Sequence, residues 1–173
     1  MGHPVLRQKA RPVEKAEIRH PLFQKLVDDM IETMHEYNGI GLAAPQVHED
    51  LRLFVAVIDS GEEAEARAII NPEIVPVGTQ MVEGWEGCLS IPDIRGRVPR
   101  HFHIKVKALD RHGKPLEIDA KDFPARVLQH ETDHLDGVLF FDRMKGFESL
   151  TYLEEYSRFH TPDGDAADDD DEE

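Results

Sequence analysis

Asp122-Phe-Pro-Ala-Arg-Val-Leu-Gln-His-Glu-Thr-Asp-His-Leu-Asp-Gly137 decides how this chain is organised. Asp122 is a plausible N-cap, because a short carboxylate can accept from the free N–H groups of a first helical turn, where Pro124 is tolerated. Gly137 ends the segment, since glycine takes the left-handed conformation that closes many helices. Ala125–Asp136 is therefore predicted to be a helix. Inside it, His130-Glu131-Thr132-Asp133-His134 fits H-E-x-x-H. At about 100° per residue, positions four apart return to nearly the same face. Two imidazoles can then grip one ion with Glu131 beside it. The bland alternative, a helix whose His and Glu only meet water, is weakened by the agreement between caps and motif.

Two histidines are too few for a catalytic metal, which usually takes three protein ligands and keeps a position open for water. Downstream, Asp136–Glu148 offers no second signature. Upstream, Glu86-Gly-Cys-Leu-Ser90 contains the only cysteine of the chain. Alone, Cys88 is a buried small hydrophobe, a reactive thiol or a metal ligand, and the buried thiol is the commonest of these. Paired with the helix, a Cys88 thiolate would complete a Cys-His-His set. A single cysteine forms no internal disulfide, which favours a reducing compartment.

Away from this centre, Leu22, Leu26, Val27, Met30, Ile31 and Met34 recur at three- and four-residue steps, predicting an amphipathic helix from Pro21 to Tyr37 that Asn38-Gly39 closes. Gly39-Ile-Gly-Leu-Ala-Ala-Pro-Gln46 is too small and glycine-rich for a packed strand and suggests backbone approaching something closely. Strand-like runs follow at Arg52–Ile58, Ala68–Ile70, Glu73–Val82, Arg97–Pro99, His103–Leu109 and Pro115–Ile118, with a hairpin turn at Asp110–Gly113. A last amphipathic segment spans Leu150–Phe159. The expected architecture is α+β: mostly antiparallel sheets around a buried metal-binding helix, with an N-terminal and a C-terminal helix.

The chain has 173 residues, suited to one domain that buries roughly 68–70% of its unfolded surface. Hydrophobic residues at 40% and charged residues at 32% permit a core without disulfides. The expected organisation is a catalytic domain over residues 1–160 and a disordered acidic tail over 161–173. Eight of the eleven residues Asp163–Glu173 are Asp or Glu, and removing them moves the net charge from −15 to −7. Such a run repels itself and has no apolar anchor. The acidity argues against binding a phosphate backbone, so no nucleic-acid partner is expected. No apolar stretch approaches a membrane span and the N-terminus lacks a signal-peptide core, which makes the cytoplasm the expected location.

Gly39–Gln46, Glu86–Ser90 and Gln129–His134 together resemble the three signature segments of the peptide deformylase family, in the family's order. The resemblance extends from about Gly2 to Met144, through Val27-Asp-Asp-Met30 and Ala108-Leu-Asp-Arg111, and leaves out the tail. It implies a hydrolase that removes the formyl group from N-formylmethionyl nascent peptides, with transient proximity to the ribosome. It further implies that Cys88, His130 and His134 bind the metal, with Fe2+ native and Zn2+, Ni2+ or Co2+ able to replace it. Glu131 would be the general acid and base, while the Gln46 amide and the Leu89 backbone N–H would stabilise the oxyanion. Gly41 would let the peptide lie against the backbone like an added strand. Ile40, Phe123 and Val127 are candidates for the methionine pocket by position, and each is equally credible as core. Arg95 matches a family arginine near the substrate backbone, or is a solvated side chain. Asp133 either orients a ligand histidine or is a helix-surface acid. The family's short N-terminal strand is expected to be trimmed or absent. The competing readings are a zinc endopeptidase on the same helix motif and a catalytically silent formyl-peptide binder.

Overall fold

Leu53-Phe-Val-Ala-Val57 carries no polar side chain, so a strand built from it needs cover on both faces. The computed structural model, which describes residues 1–59 and 65–161, provides that cover. In chain order the elements are α1 (Lys15–Ile18), α2 (Pro21–Glu36), β1 (Gly41–Ala43), β2 (Leu53–Val57), β3 (Ala66–Pro76), β4 (Met81–Cys88), β5 (Ile91–His101), β6 (His103–Leu109), β7 (Pro115–Lys121), α3 (Asp122–Leu135), β8 (Thr151–Tyr152) and α4 (Leu153–Phe159). Short 3-10 turns lie at Pro4–Arg7, Ala44–Val47 and Phe140–Arg143. One antiparallel sheet has the order β1-β2-β3-β6-β7 and a second has the order β4-β5-β8.

Alternation along β2 distributes its side chains between two cores. Leu53 and Val55 join Phe23, Val27, Met30 and Met34 of α2, while Phe54 and Ala56 join Ala125, Leu128 and Leu135 of α3. The first sheet is thus sandwiched between α2 and α3. The second sheet contributes Cys88, Ile91 and Val98 to a third cluster with Leu139 and Phe140. This is the α+β architecture expected from the sequence, with α3 enclosed between the two sheets' contributions.

Several boundaries differ from expectation. The run Glu73–Val82 is not one strand: it covers the end of β3, a turn around Gly78 at φ +75°, and the start of β4. Ala68–Ile70 and Glu73 instead belong to one strand, bent by a register shift at Asn71 (φ +51°), whose amide exchanges 2.9 Å hydrogen bonds with Val13. Arg97–Pro99 is the middle of the eleven-residue β5, which its pairing with β4 extends despite Pro92 and Gly96. Gly41–Ala43, read from sequence as too small for a strand, is a short one paired with β2. Leu22 points outward and Phe23 takes its place on the buried stripe of α2. Asp122 does not cap α3. It makes no capping bond and sits at φ +53°, the corner where β7 passes directly into the helix. Of the segment Leu150–Phe159, only Leu153–Phe159 is helical, because Thr151–Tyr152 pair with β5. Among the described residues no strand precedes Gly41. No helix among them is long and apolar enough to cross a membrane. The acidic tail lies, beyond Thr161, outside the described residues.

Candidate metal centre and active site

α3 is buried along most of its length, so the polar face of H-E-x-x-H is enclosed rather than wetted. Glu131 and His134 are 4% and 1% exposed, while Cys88 at the end of β4 is 8% exposed. The potential ligand atoms of Cys88, His130 and His134 all lie within 4.8 Å of one another. Cys88 Sγ stands 3.3 Å from His134 Nε2, and the two imidazoles meet edge to face with centroids 5.0 Å apart. Forty-two residues of sequence separate Cys88 from His130, and the packing of β4 on α3 closes that gap.

The charge that orients these groups comes from Glu86, and Asp133 fills neither role the sequence left open, being buried and paired with arginines. Glu86 Oε2 accepts from His130 Nδ1 at 2.9 Å, which turns Nε2 of that ring away from Glu86 and toward Cys88. Asp133 touches neither ligand; it accepts from Arg100 and Arg143. Arg100 bridges the two acids through Nε and Nη2 to Glu86 at 2.9 and 3.0 Å, and Arg126 adds a 2.8 Å bond to the same carboxylate. Arg126 also donates to the carbonyls of Val82 and Val98, tying α3 to β4 and β5. Sequence reasoning missed Glu86, Arg100 and Arg126. The available signal was Glu86 standing two residues before the only cysteine.

Burial pushes the Glu86 carboxyl up, but hydrogen bonds from His130 and Arg100 outweigh it and hold the group at about 2. Burial also drives His134 well below its usual value, assisted by the positive His130 and Arg100, so that it is neutral and able to ligate. Against burial, Cys88 and Glu86 draw a proton onto His130 and carry it to about 10. A donor set that pulls a cation into itself in this way fits a metal ion, and one thiolate with two imidazoles suits Zn, Fe, Ni or Co. Glu131 is pushed up to about 7 by burial, partly countered by His130. Its Oε2 is buried with no hydrogen-bond partner. Glu86→Gln is expected to weaken metal binding about 10–100-fold, read by titration against a competing chelator.

The remaining residues singled out from sequence line one cleft of about 610 Å³ that ends at Cys88, His130 and Glu131. Gln46 accepts from the Ala43 N–H through Oε1 at 2.8 Å, which directs its Nε2 toward Cys88 Sγ (3.5 Å) and Ser90 Oγ (3.2 Å). Leu89 follows Cys88 in the tight turn between β4 and β5, and its side chain lines the cleft against Gly39. Ile40 and Phe123 are exposed on the rim, whereas Val127 is buried and belongs to the α3 core as well. Arg95 lies folded over Gly87 and donates to the Ile94 carbonyl at 3.0 Å. The structure gives Gly41 a reason for lacking a side chain. A Cβ there would stand 2.7 Å from Glu131 Cδ, so the carboxylate occupies the space a side chain would fill.

The sequence profile of the family described as polypeptide deformylase matches residues 1–149. Among curated relatives, "Peptide deformylase 2" of Nostoc sp. is 47% identical over 167 residues, covering 93% of this chain and 92% of the relative. Among solved structures, peptide deformylase from Thermotoga maritima superposes with a TM-score of 0.77 at 42% identity, over 84% of this chain and 95% of the other. The Met-Ala-Ser-bound class I type b peptide deformylase from Acinetobacter baumannii does so with 0.77 at 39% identity, over 83% and 94%. With nearly the whole chain matched in sequence and fold, and with a Cys-His-His cluster beside a buried glutamate, the protein belongs to the polypeptide deformylase family of enzymes.

Proposed function

We propose that this enzyme hydrolyses the formyl amide of N-formylmethionyl nascent peptides and releases formate, with Cys88, His130 and His134 holding a divalent metal. The observation that carries this reading is the buried, unpaired Glu131 Oε2 beside three converging ligand atoms, with Cys88, His130 and Glu131 lining a cleft of about 610 Å³. When bound, an ion on three protein ligands polarises a carbonyl and lowers the pKa of its water from about 15.7 toward about 7. Glu131 accepts at Oε2 a proton from the water whose oxygen bonds to the formyl carbon, and returns it to the amine nitrogen as the C–N bond breaks and formate leaves. A carboxyl lifted to about 7 is suited to both transfers near neutral pH.

Gln46 donates from Nε2 to the developing oxyanion, and its pinned Oε1 keeps that donor oriented before the reaction begins. The Leu89 backbone N–H is the second donor. β1 and β4 each end a sheet, and Gly41 and Gly87 on those edges both line the cleft, so a peptide can pair there as an added strand. The Met-Ala-Ser peptide bound to the Acinetobacter baumannii relative supports a methionine-first ligand. The methionine side chain fits among Ile40, Phe123 and Val127, and Arg95 lies near the peptide backbone. Ferrous iron is the native ion in this reading, with zinc, nickel or cobalt able to replace it. The reaction takes place in the cytoplasm, close to ribosomes from which formylated chains emerge, with no contact to nucleic acid required.

Gly41→Ala tests the contact that places Glu131. The added methyl displaces the carboxylate, and kcat is expected to fall on the order of 10²-fold with metal content unchanged. The function itself is tested by formate release from a formyl-methionyl peptide, prepared anaerobically with iron or nickel, beside an unformylated peptide of the same sequence. Formate with no internal cleavage supports the proposal. Metal bound without formate indicates a silent binder, and cleavage inside the peptide indicates an endopeptidase.

A further inference from the structure

We propose that Trp85 and the start of α4 form a subsite for the second residue of the substrate, selecting a bulky apolar side chain there. This inference rests on the deformylase reading and deepens it. β4 presents two faces. Cys88 and Glu86 are buried toward α3, and a Cβ on Gly84 would stand 2.9 Å from Arg126 Cζ of that helix. The intervening positions face the other way: a Cβ on Gly87 would meet Arg95 Nε at 2.8 Å, and the Trp85 ring packs on Tyr156 (5.1 Å) and His160 (4.9 Å).

The cleft wraps over the β4 edge, because Trp85 and Leu153 line it together with Phe123 and Val127 from α3. A formyl carbon at the ligand atoms sits at the Cys88 end of β4. A peptide extending along that edge therefore runs back toward Met81, antiparallel to the strand. Successive side chains of an extended chain point to opposite faces. With the methionine directed to the α3 side, the next side chain is directed to the side that holds Trp85 and Leu153.

That side is apolar and held in place. Ile94↔Tyr152 and Arg95↔Thr151 pairing fixes β8, and with it the first turn of α4, against β5. α4 buries none of its residues fully, so Leu153 keeps apolar surface open to the cleft. The Arg95 guanidinium is turned to the Ile94 carbonyl, leaving its hydrocarbon stem as the neighbouring surface. A leucine or phenylalanine second residue loses more apolar area to water here than a glycine can.

The test compares formyl-Met-Leu-Ser with formyl-Met-Gly-Ser on the full-length, metal-loaded enzyme, its Trp85→Ala variant and its Leu153→Ser variant. The wild-type kcat/KM ratio is expected to favour leucine roughly tenfold, carried mainly by KM, and to fall to about twofold or less in both variants. A wild-type ratio near one, or a tenfold ratio that survives in both variants, overturns the subsite. Failure of the wild type to release formate from either peptide overturns the deformylase reading, and the subsite with it.

Discussion

Glu131→Gln is expected to keep its metal and its fold while kcat for formate release falls about 10²–10⁴-fold. The amide has nearly the shape of the carboxylate, so it fits the space beside Gly41 that the Glu131 carboxylate occupies. What it lacks is the ability to take up a proton and return it. The side chain makes no hydrogen bond through Oε2, so the substitution breaks no structural pairing there. KM is expected to change little, because the lost interaction belongs to the transition state rather than to binding. Formate assays on preparations of matched metal content check this. A variant with more than about a tenth of the wild-type kcat would assign the proton transfers to another group.

Arg100→Ala is expected to cost about 3–5 kcal/mol of stability, read as a lower denaturant midpoint at unchanged slope. Arg100 is 5% exposed and faces Glu86 and Asp133, both buried. Removing it strands two largely buried carboxylates, which Arg126 and Arg143 compensate only in part. Glu86 is held at about 2, below its ordinary 4.5, so its ionised pairing stabilises the fold above pH 4.5 and is lost as pH falls toward 2. In Arg100→Ala that acid-limb dependence should shrink. A variant as stable as the wild type, with the same acid limb, would mean that Arg126 and His130 suffice to hold Glu86.

The chemistry in this sequence was legible where it was local. A helix carries its period and its closing glycine within fifteen residues, and H-E-x-x-H places two histidines and a glutamate on one face by geometry alone. Cys88 became interpretable only because the chain has no other cysteine to consider. Long-range pairing was not legible in this way. Glu86 orients His130 across forty-four residues, while Asp133, three residues from that histidine, turns away to two arginines. Proximity in sequence did not identify the orienting acid. The strands failed at Gly78 and Asn71 for a related reason: the run Glu73–Val82 was joined across Pro76 and Gly78, and the pairing of β3 with β6 and of β4 with β5 separates the two strands there. Gly41 was read from sequence as a place for substrate backbone, and the structure shows its missing side chain making room for Glu131.

In this proposal one ion on Cys88, His130 and His134 makes the protein a deformylase. This dependence on the ion is tested most directly by adding ferrous iron anaerobically to metal-free enzyme while recording formate release from a formyl-methionyl peptide, alongside Cys88→Ala. Formate release that rises to a plateau at about one equivalent for the wild type, and stays near background for Cys88→Ala, is the predicted result. Full activity in the metal-free enzyme, or the same titration curve for Cys88→Ala, would contradict it.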